Sequence, residues 1–184
     1  MTRLRAATPH VRHARIWLTI RLERLDWDET TWRAVLAELM RWQEAGNALA
    51  GLQLDFDAHT RGLDHYADFL ADVRWRLDPR YKLSITGLLD WSAGGDPAQL
   101  TRIGRVVDDL VIQTYQGRST IPGYEHYLRR LSRLPLAYRI GLVEAGEWTE
   151  PASLRADPHF RGYVVFLLPA GARRKPLPGS HEGR

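Results

Sequence analysis

The apolar residues of this chain follow two alternating patterns, one with the period of a β-strand and one with the period of a helix. Six runs predict strands, because their apolar side chains stand at every second position or fill the run. These runs cover residues 16–22, 51–57, 82–88, 109–115, 138–143 and 162–168. Between most of them, apolar residues recur at intervals of three and four, which is typical of one face of a helix.

Residues that begin or end helices mark the segments between the strands. Gly46 closes the first helix, and Asp78-Pro79 stops the second. Asp96-Pro97 predicts the start of a short third helix, since Asp accepts from free N–H groups and Pro is tolerated in the first turn. The apolar stripes are Trp32, Val35, Leu36, Leu39 and Met40; Tyr66, Phe69, Leu70, Val73 and Leu77; Leu100 and Ile103; and Tyr124, Tyr127, Leu128 and Leu131.

Strand and helix repeat at roughly 25–35 residues, which is the spacing of βα units and predicts a parallel sheet. Polar Gln53, Asp55 and Asp57 alternate with apolar neighbours in one strand, as in a barrel whose strands face helices on one side and a lumen on the other. No Gly-rich phosphate loop follows the first strand, as a nucleotide-binding sheet would usually show. We therefore predict an α/β fold of the (β/α)8 TIM-barrel type that is incomplete, with about six parallel βα units.

The same patterns divide the chain into three parts. Residues 1–14 form a basic N-terminal segment, residues 15–169 the partial barrel, and residues 170–184 a Pro-, Gly- and Arg-rich tail that we expect to be disordered. No apolar h-region of a signal peptide is visible at the start, although full-length relatives could still be exported. The compartment is therefore left open.

Composition narrows the functional classes. The formal charge is +4, but much of the basic excess lies near the chain ends and no nucleic-acid-binding motif is present, so no nucleic-acid partner is predicted. No run approaches the roughly 20 apolar residues of a membrane helix. The chain has no cysteine, and its seven histidines are scattered without ligand spacing. We predict neither a metal nor a cofactor.

Asp55 and Asp57 carry the strongest chemical signal. Two residues apart on one strand, they point to the same face with Cα atoms about 6.6 Å apart, at the strand end where barrel enzymes place catalytic groups. Two close carboxylates favour one protonated acid beside one charged stabiliser. The alternative is structural: Asp57 caps the following loop, and Asp55 pairs with an arginine in the lumen.

The run Gly51-Leu-Gln-Leu-Asp-Phe-Asp57 resembles the fourth-strand Asp-Gly-x-Asp-x-Asp-x-Glu motif of the family 18 chitinase-like hydrolases. The run 111–116 resembles that superfamily's sixth-strand Met-x-Tyr-Asp. Residues 16–168 more closely resemble a bacterial family of unknown function, number 3142. Its recurrent pieces match at 51–58, 83–91, 111–117, 139–148 and 160–168. The resemblance implies a barrel of glycoside-hydrolase ancestry holding strands three to eight, without naming a reaction.

Residue roles follow from the chitinase-like resemblance. It implies that Asp57 is the general acid, that Asp55 orients the acetamido group of the substrate, and that Tyr115 helps to hold it. Gln53 stands at the first Asp of the motif, and Gln116 at the Asp or Asn beside the tyrosine. Asp57 is one methylene shorter than the Glu of those enzymes, which sets its proton back from the leaving oxygen.

Further substrate-binding candidates lie at strand ends. They are Arg21 after the first strand, Asp90 and Trp91 after the third, Gln113 in the fourth, and Glu144, Glu147 and Trp148 after the fifth. A carboxylate opposite Asp57 could serve as base or nucleophile, and an indole suits the C–H face of a sugar. The alternatives are a packing role for Trp91, a solvated loop acid for Glu147, and an Arg21–Asp55 pair.

We therefore predict a carbohydrate-active barrel that hydrolyses or binds a glycan through paired aspartates. The rivals are a glycan- or peptidoglycan-binding module without catalysis, and a truncated fragment without independent function. With two strands absent, the first and last strands should form open sheet edges that can pair with other chains. We therefore expect two kinds of partner: a carbohydrate ligand, and other copies of this chain that pair with the open sheet edges.

Overall fold

A six-stranded parallel sheet organises the protein, which was analysed as a computed structural model describing residues 8–131 and 136–166. The strands of this sheet are β1 (Arg15–Arg21), β2 (Ala48–Asp55), β3 (Lys82–Leu88), β4 (Asp109–Gln113), β7 (Tyr138–Val143) and β8 (Phe160–Phe166), in that spatial order. A two-stranded antiparallel hairpin, β5 (Tyr115–Gln116) and β6 (Ser119–Thr120), follows β4. Because the spatial order follows the chain order, each crossover returns the chain to the next position in the sheet.

Helices connect the strands. They are α1 (Glu29–Glu44), α2 (Leu63–Arg76) after a short 3-10 turn (Thr60–Gly62), α3 (Trp91–Gly94), α4 (Pro97–Val106), α5 (Tyr124–Leu131) and α6 (Ala152–Arg155). The cap predicted for α4 is confirmed, since the Asp96 carboxylate accepts from the backbone N–H of Ala98 at 2.9 Å. Gly46, with φ of +82°, ends the α1 segment in a conformation that suits glycine.

The core lies between the sheet and the helices. Side chains on the helix-facing side of the central strands, such as Leu52, Leu54 and Ile85, are fully buried. The apolar stripes of the helices cover them, and Val35, Leu70 and Ile103 are each at most 1% exposed. Met40 departs from its predicted stripe: at 58% exposed it lies outside the core, because it falls beside rather than on the buried face of α1.

The opposite side of the sheet is concave. Trp17 of β1 and Val164 of β8, which come from the two edge strands, line the same cavity of about 480 Å³. Strands at opposite edges can share a cavity only if the sheet curls, so the six strands form a curled half-barrel. The predicted α/β class and parallel strands are confirmed. The TIM-barrel type and the number of about six βα units stay predictions.

Strand limits differ modestly from the sequence pattern. Strands β3 and β7 match their predicted bounds, whereas β4 ends at Gln113 and not at residue 115. Thr114 still bonds to β7, since its N–H and hydroxyl both donate to the Gly141 carbonyl at 3.2 and 2.9 Å, but its own carbonyl accepts from the Ile121 N–H at the base of the β5–β6 hairpin. Residues 1–7, 167–168 and the predicted disordered tail 170–184 lie outside the described residues. The three-part division of the chain stays a prediction.

No helix within residues 8–131 and 136–166 combines the length and the apolar character needed to cross a membrane.

Candidate functional site

One arginine joins the two predicted aspartates at the C-terminal ends of the first two strands. Arg21 Nη1 lies 3.0 Å from Asp55 Oδ2 and 3.2 Å from Asp57 Oδ1, and its Nη2 donates to Asp57 Oδ2. Asp55 is the more enclosed acid, with 23% of its side chain exposed against 49% for Asp57. We call Arg21, Asp55 and Asp57 the acid–arginine cluster.

The strand register creates this cluster. Arg21 of β1 pairs with Asp55 of β2, and the Leu22 N–H continues the ladder to the Asp55 carbonyl at 2.8 Å. Beyond Asp55 the chain leaves the sheet, with a tight turn closed by the Ala58 N–H on the Phe56 carbonyl. Asp57 therefore stands at the rim, where its carboxylate can turn toward Arg21.

A polar row beneath the cluster supports it. The hydroxyl of Thr86 on β3 donates to Asp55 Oδ1 at 2.7 Å, so both Asp55 oxygens have a partner. One layer deeper, Thr19 donates to Gln53 at 3.0 Å, and Gln53 donates to Ser84 at 3.1 Å. Gln53 is 6% exposed and locked between two hydroxyls, so it forms the floor beneath the acids.

Tyr115, which follows β4, lies close enough to the acid–arginine cluster to feel its charges. Burial and the nearby charge of Asp55 raise the pKa of Tyr115 to about 12. Its ring lies against Phe166 of β8, with centroids 5.5 Å apart. Gly141 leaves room for this contact, since a Cβ there would lie 3.2 Å from the Phe166 ring. Tyr115 therefore keeps its hydroxyl proton throughout the neutral range and offers a hydrogen-bond donor near the carboxylates.

The two carboxylates favour the charged form of Arg21. Hydrogen bonds to Asp57 and Asp55 raise the pKa of Arg21 further above its usual value, against an opposing effect of partial burial. Two carboxylates against one guanidinium leave a local excess of negative charge when both acids are ionised. Within the described ranges, no group of three or more acidic or histidine side chains is placed to hold a metal ion.

Three further candidates lie at or beyond the C-terminal ends of β4 and β7. Gln113 follows Val111 by two residues and therefore shares its concave face, in register with Gly141. Gln116 is exposed on the hairpin that carries Tyr115. Glu144 is half-buried just beyond β7, where its backbone N–H donates to the Phe166 carbonyl at 3.0 Å.

Asp90 and Trp91 turn away from solvent. Trp91 is 1% exposed, its indole N–H donates to the Ala58 carbonyl at 2.8 Å, and its ring meets Tyr66 edge-on at 6.2 Å. It packs in the core under the Asp57 loop, so this indole has no free face for a sugar. Asp90 is half-buried, and its backbone carbonyl accepts from Ala93 and Gly94 at the start of α3.

Trp148 and Glu147 also lie apart from the cluster. Trp148 stacks on Tyr124 of α5 with centroids 4.7 Å apart and meets Tyr163 of β8 edge-on. The side chain of Glu147 is exposed, while its backbone carbonyl accepts from the Thr120 hydroxyl. Trp148 thus serves as packing between α5 and β8, the structural role that sequence reasoning weighed for Trp91 alone.

Two residues of the site were missed by sequence reasoning. Thr86 was not among the candidates, yet its hydroxyl holds Asp55. Phe166 read as an ordinary strand residue, yet it backs Tyr115. The alternation in β3 places Thr86 on the same face as Ser84, but only the register of β2 against β3 shows which acid it reaches.

Comparison with known proteins identifies the family but no activity. The family described as "Domain of unknown function (DUF3142)" matches residues 8–123, and the chain belongs to it. No curated protein gives a significant match. Among solved structures, the spore cortex-lytic enzyme SleL of Bacillus cereus is similar at 20% sequence identity with a TM-score of 0.48. That match covers 69% of this chain and 35% of SleL, so the chain spans about a third of that protein's length.

Proposed function

Because membership of this family assigns no reaction, we propose a function from the site itself: a carbohydrate-active half-barrel that acts on or binds a glycan at the acid–arginine cluster. The observation that carries the proposal is the joining of Asp55 and Asp57 by Arg21 at the C-terminal strand ends. Barrel enzymes bind substrates at that end. The resemblance of residues 51–57 to the chitinase-like motif supports the same assignment.

In the proposed reaction, Asp57 is the general acid that protonates the leaving glycosidic oxygen. Asp55, fixed by Thr86 and Arg21, is placed to stabilise the positive charge that develops on the sugar. Tyr115 donates a hydrogen bond to the group held beside it, because its raised pKa keeps the hydroxyl protonated. Asp55 and Asp57 lie on the same side of one strand and share one guanidinium, so both approach a bound sugar from the same side. The resemblance suggests that the acetamido oxygen of the substrate attacks the anomeric carbon as the glycosidic bond breaks. Water then opens the resulting cyclic intermediate and returns a proton to Asp57.

A second candidate function, a glycan-binding module without turnover, is favoured by the Arg21–Asp57 pair. Both oxygens of Asp57 accept from Arg21, so a proton on either one would replace one of these bonds. Catalysis thus requires the ligand to separate Arg21 from Asp57. Binding does not require this separation, because the paired Arg21 and Asp57 still offer hydrogen-bond donors and acceptors to a ligand at the rim of the sheet.

The test measures hydrolysis of, and affinity for, a panel of N-acetylated and plain glycans. Asp57→Asn should lower turnover by about 100-fold or more while affinity survives, because the amide keeps the shape and loses the proton. The matched control is Asp68→Asn, which removes an exposed carboxylate paired with Arg102 on the helical surface. That variant should act as wild type.

Three other outcomes of these measurements would change the proposal. Unchanged turnover in Asp57→Asn would contradict the role of Asp57 and make Glu144 the next acid to test. Glycan binding without turnover in the wild type would establish the binding module. Neither binding nor turnover on any glycan would overturn the proposal.

A further inference from the structure

A shallow, open pocket lies at the opposite end of the sheet from the acid–arginine cluster. It has a volume of about 600 Å³ and is formed where the chain enters β1 and β2. Four basic residues are part of its lining, and all four are exposed: His10, Arg12, His13 and Arg15. We call it the amino-terminal pocket. Arg15 and Arg21 bound the seven residues of β1, so the pocket and the cluster lie about 20 Å apart at the usual rise of a strand.

Asn47 holds the segment that forms the pocket. This side chain is 5% exposed, accepts from the Val11 N–H at 2.8 Å and donates to the carbonyls of Pro9 and Trp42, each at 3.0 Å. Gly46 beside it leaves space for the His10 ring, because a Cβ at Gly46 would lie 3.3 Å from it. The basic side chains therefore project from a backbone that is fixed before any ligand arrives.

The backbone of the pocket takes an uncommon conformation. His13 has φ of +62°, in the left-handed region that few non-glycine residues adopt. The chain turns at Arg12 and His13 before entering β1, so four basic residues within six positions line the same open pocket. Such outliers concentrate at ligand sites, although turns use them as well.

The charges of the pocket have no internal compensation. No Asp or Glu is among its lining residues. Elsewhere on the surface, arginines pair with acids: Arg76 with Glu29 and Asp72, and Arg102 with Asp68. Within the described part of the chain, neither Arg12 nor Arg15 has a carboxylate partner. Two arginines without a carboxylate partner thus belong to the lining of an open pocket that has room for a small ligand.

We propose that the amino-terminal pocket binds a phosphate group with nearly two negative charges, either free or as the monoester of a small molecule. Arginine presents a planar fork of donors that matches phosphate oxygens, and histidine adds N–H donors. A dianionic phosphate with three terminal oxygens suits this donor set better than a singly charged carboxylate or phosphodiester. The pocket is independent of the acid–arginine cluster, so the proposal does not rest on the proposed function.

The test titrates the full chain with inorganic phosphate, a hexose 6-phosphate and a dialkyl phosphodiester at constant ionic strength. The ring proton signals of His10 and His13 are followed by NMR, and affinity is measured by calorimetry. We expect saturable shifts of both rings with inorganic phosphate, and at least tenfold weaker binding of the diester, about 1.4 kcal/mol. Binding of the hexose phosphate as well assigns the pocket to monoesters, and its exclusion assigns it to free phosphate.

Variants separate a built site from general charge attraction. Arg12→Gln and Arg15→Gln should each weaken phosphate binding about tenfold, because each removes a charge-assisted hydrogen bond. The matched control is Arg33→Gln, on the exposed face of α1 in its first two turns, which should leave affinity unchanged. Unshifted His10 and His13 signals, equal binding of the diester, or wild-type affinity in the double arginine variant would each overturn the proposal.

Discussion

Tyr115, which follows β4, lies near the two aspartates at the end of β2. Burial and the charge of Asp55 act in the same direction on its hydroxyl, and both favour the neutral form. Its position depends on Gly141, whose missing side chain lets Phe166 reach the Tyr115 ring. The position of the Tyr115 hydroxyl therefore depends on how β5, β7 and β8 pack together.

We predict that the hydroxyl of Tyr115 titrates at a higher pH than an ordinary tyrosine. Its pKa is about 12 in the folded protein, above the ordinary value of about 10 expected in the unfolded chain. The folded state therefore binds the proton more tightly. The stability from this residue is fully present below about pH 10 and is lost as pH rises toward 12.

The measurement is the tyrosinate absorbance during an alkaline titration, compared between wild type and Tyr115→Phe. The difference should be one group that ionises near pH 12. An Asp55→Asn variant should lower that pKa, because it removes a negative charge that opposes ionisation. A difference group that titrates like a free tyrosine would contradict the placement of Tyr115 beside the acids.

Individual residue types were informative in the sequence, but their contacts were not. The spacing of Asp55 and Asp57 predicted a shared face, and Arg21 was named as a lumen partner for Asp55. That Arg21 also binds Asp57, and binds both of its oxygens, depends on how the chain turns after Asp55. No local pattern encodes that turn.

At the scale of elements, Gly51 controls how closely β2 approaches β3. It pairs with Lys82, and a Cβ on Gly51 would lie 1.9 Å from the Lys82 carbonyl oxygen. That contact is with backbone, which cannot rotate away as a side chain can. The glycine at the start of the Gly51–Asp57 motif therefore has a packing function in the sheet.

Gly51→Ala should destabilise the protein by about 1–3 kcal/mol, the usual range for an overpacked interior, because the two strands must separate. Urea unfolding followed by circular dichroism measures this change. The control is Gly62→Ala at the start of α2, where a Cβ would meet no atom within 4 Å. That control should stay near wild type or gain slightly in stability. Equal stability of both variants would show that β2 and β3 are not this close.

Helices and strands were predicted correctly where their limits depend on neighbouring residues. They were predicted wrongly where a contact with a residue far along the chain sets the limit. Asp96-Pro97 and the stripe of Leu100 and Ile103 predicted α4, because capping and periodicity act within one helix. The end of β4 was misplaced because residues 115–120 form the β5–β6 hairpin, whose Thr120 hydroxyl donates to the Glu147 carbonyl, 27 residues away. This hairpin was not predicted.

At the scale of the molecule, the half-barrel leaves β1 and β8 as the edges of its sheet. Their residues are less buried than those of β2 and β3, and Val165 on β8 is 53% exposed. Exposed apolar edge strands can pair with other chains. Self-association of the chain through these edges stays a prediction.

Light scattering and circular dichroism of residues 1–184 test this expectation. The wild type should associate, and Val165→Lys should reduce association, since a charge on an edge strand opposes pairing. The control is Trp75→Gln, which removes an aromatic side chain, 83% exposed, from α2. Association lost only in the Trp75 variant would move the contact to the helical surface, and a cooperative monomer in the wild type would refute edge pairing.

The sequence by itself determined the alternation of strands and helices, the parallel sheet and the strand end that carries the acids. These features depend on periodicity, capping and turn residues, which act over a few neighbouring positions. The tertiary structure alone decided which candidates meet. It joined Arg21 to both acids and placed Thr86 under Asp55, while it buried Trp91 and set Trp148 against Tyr124. Register and sheet curvature govern such contacts, and both arise from packing between segments that are distant in the chain.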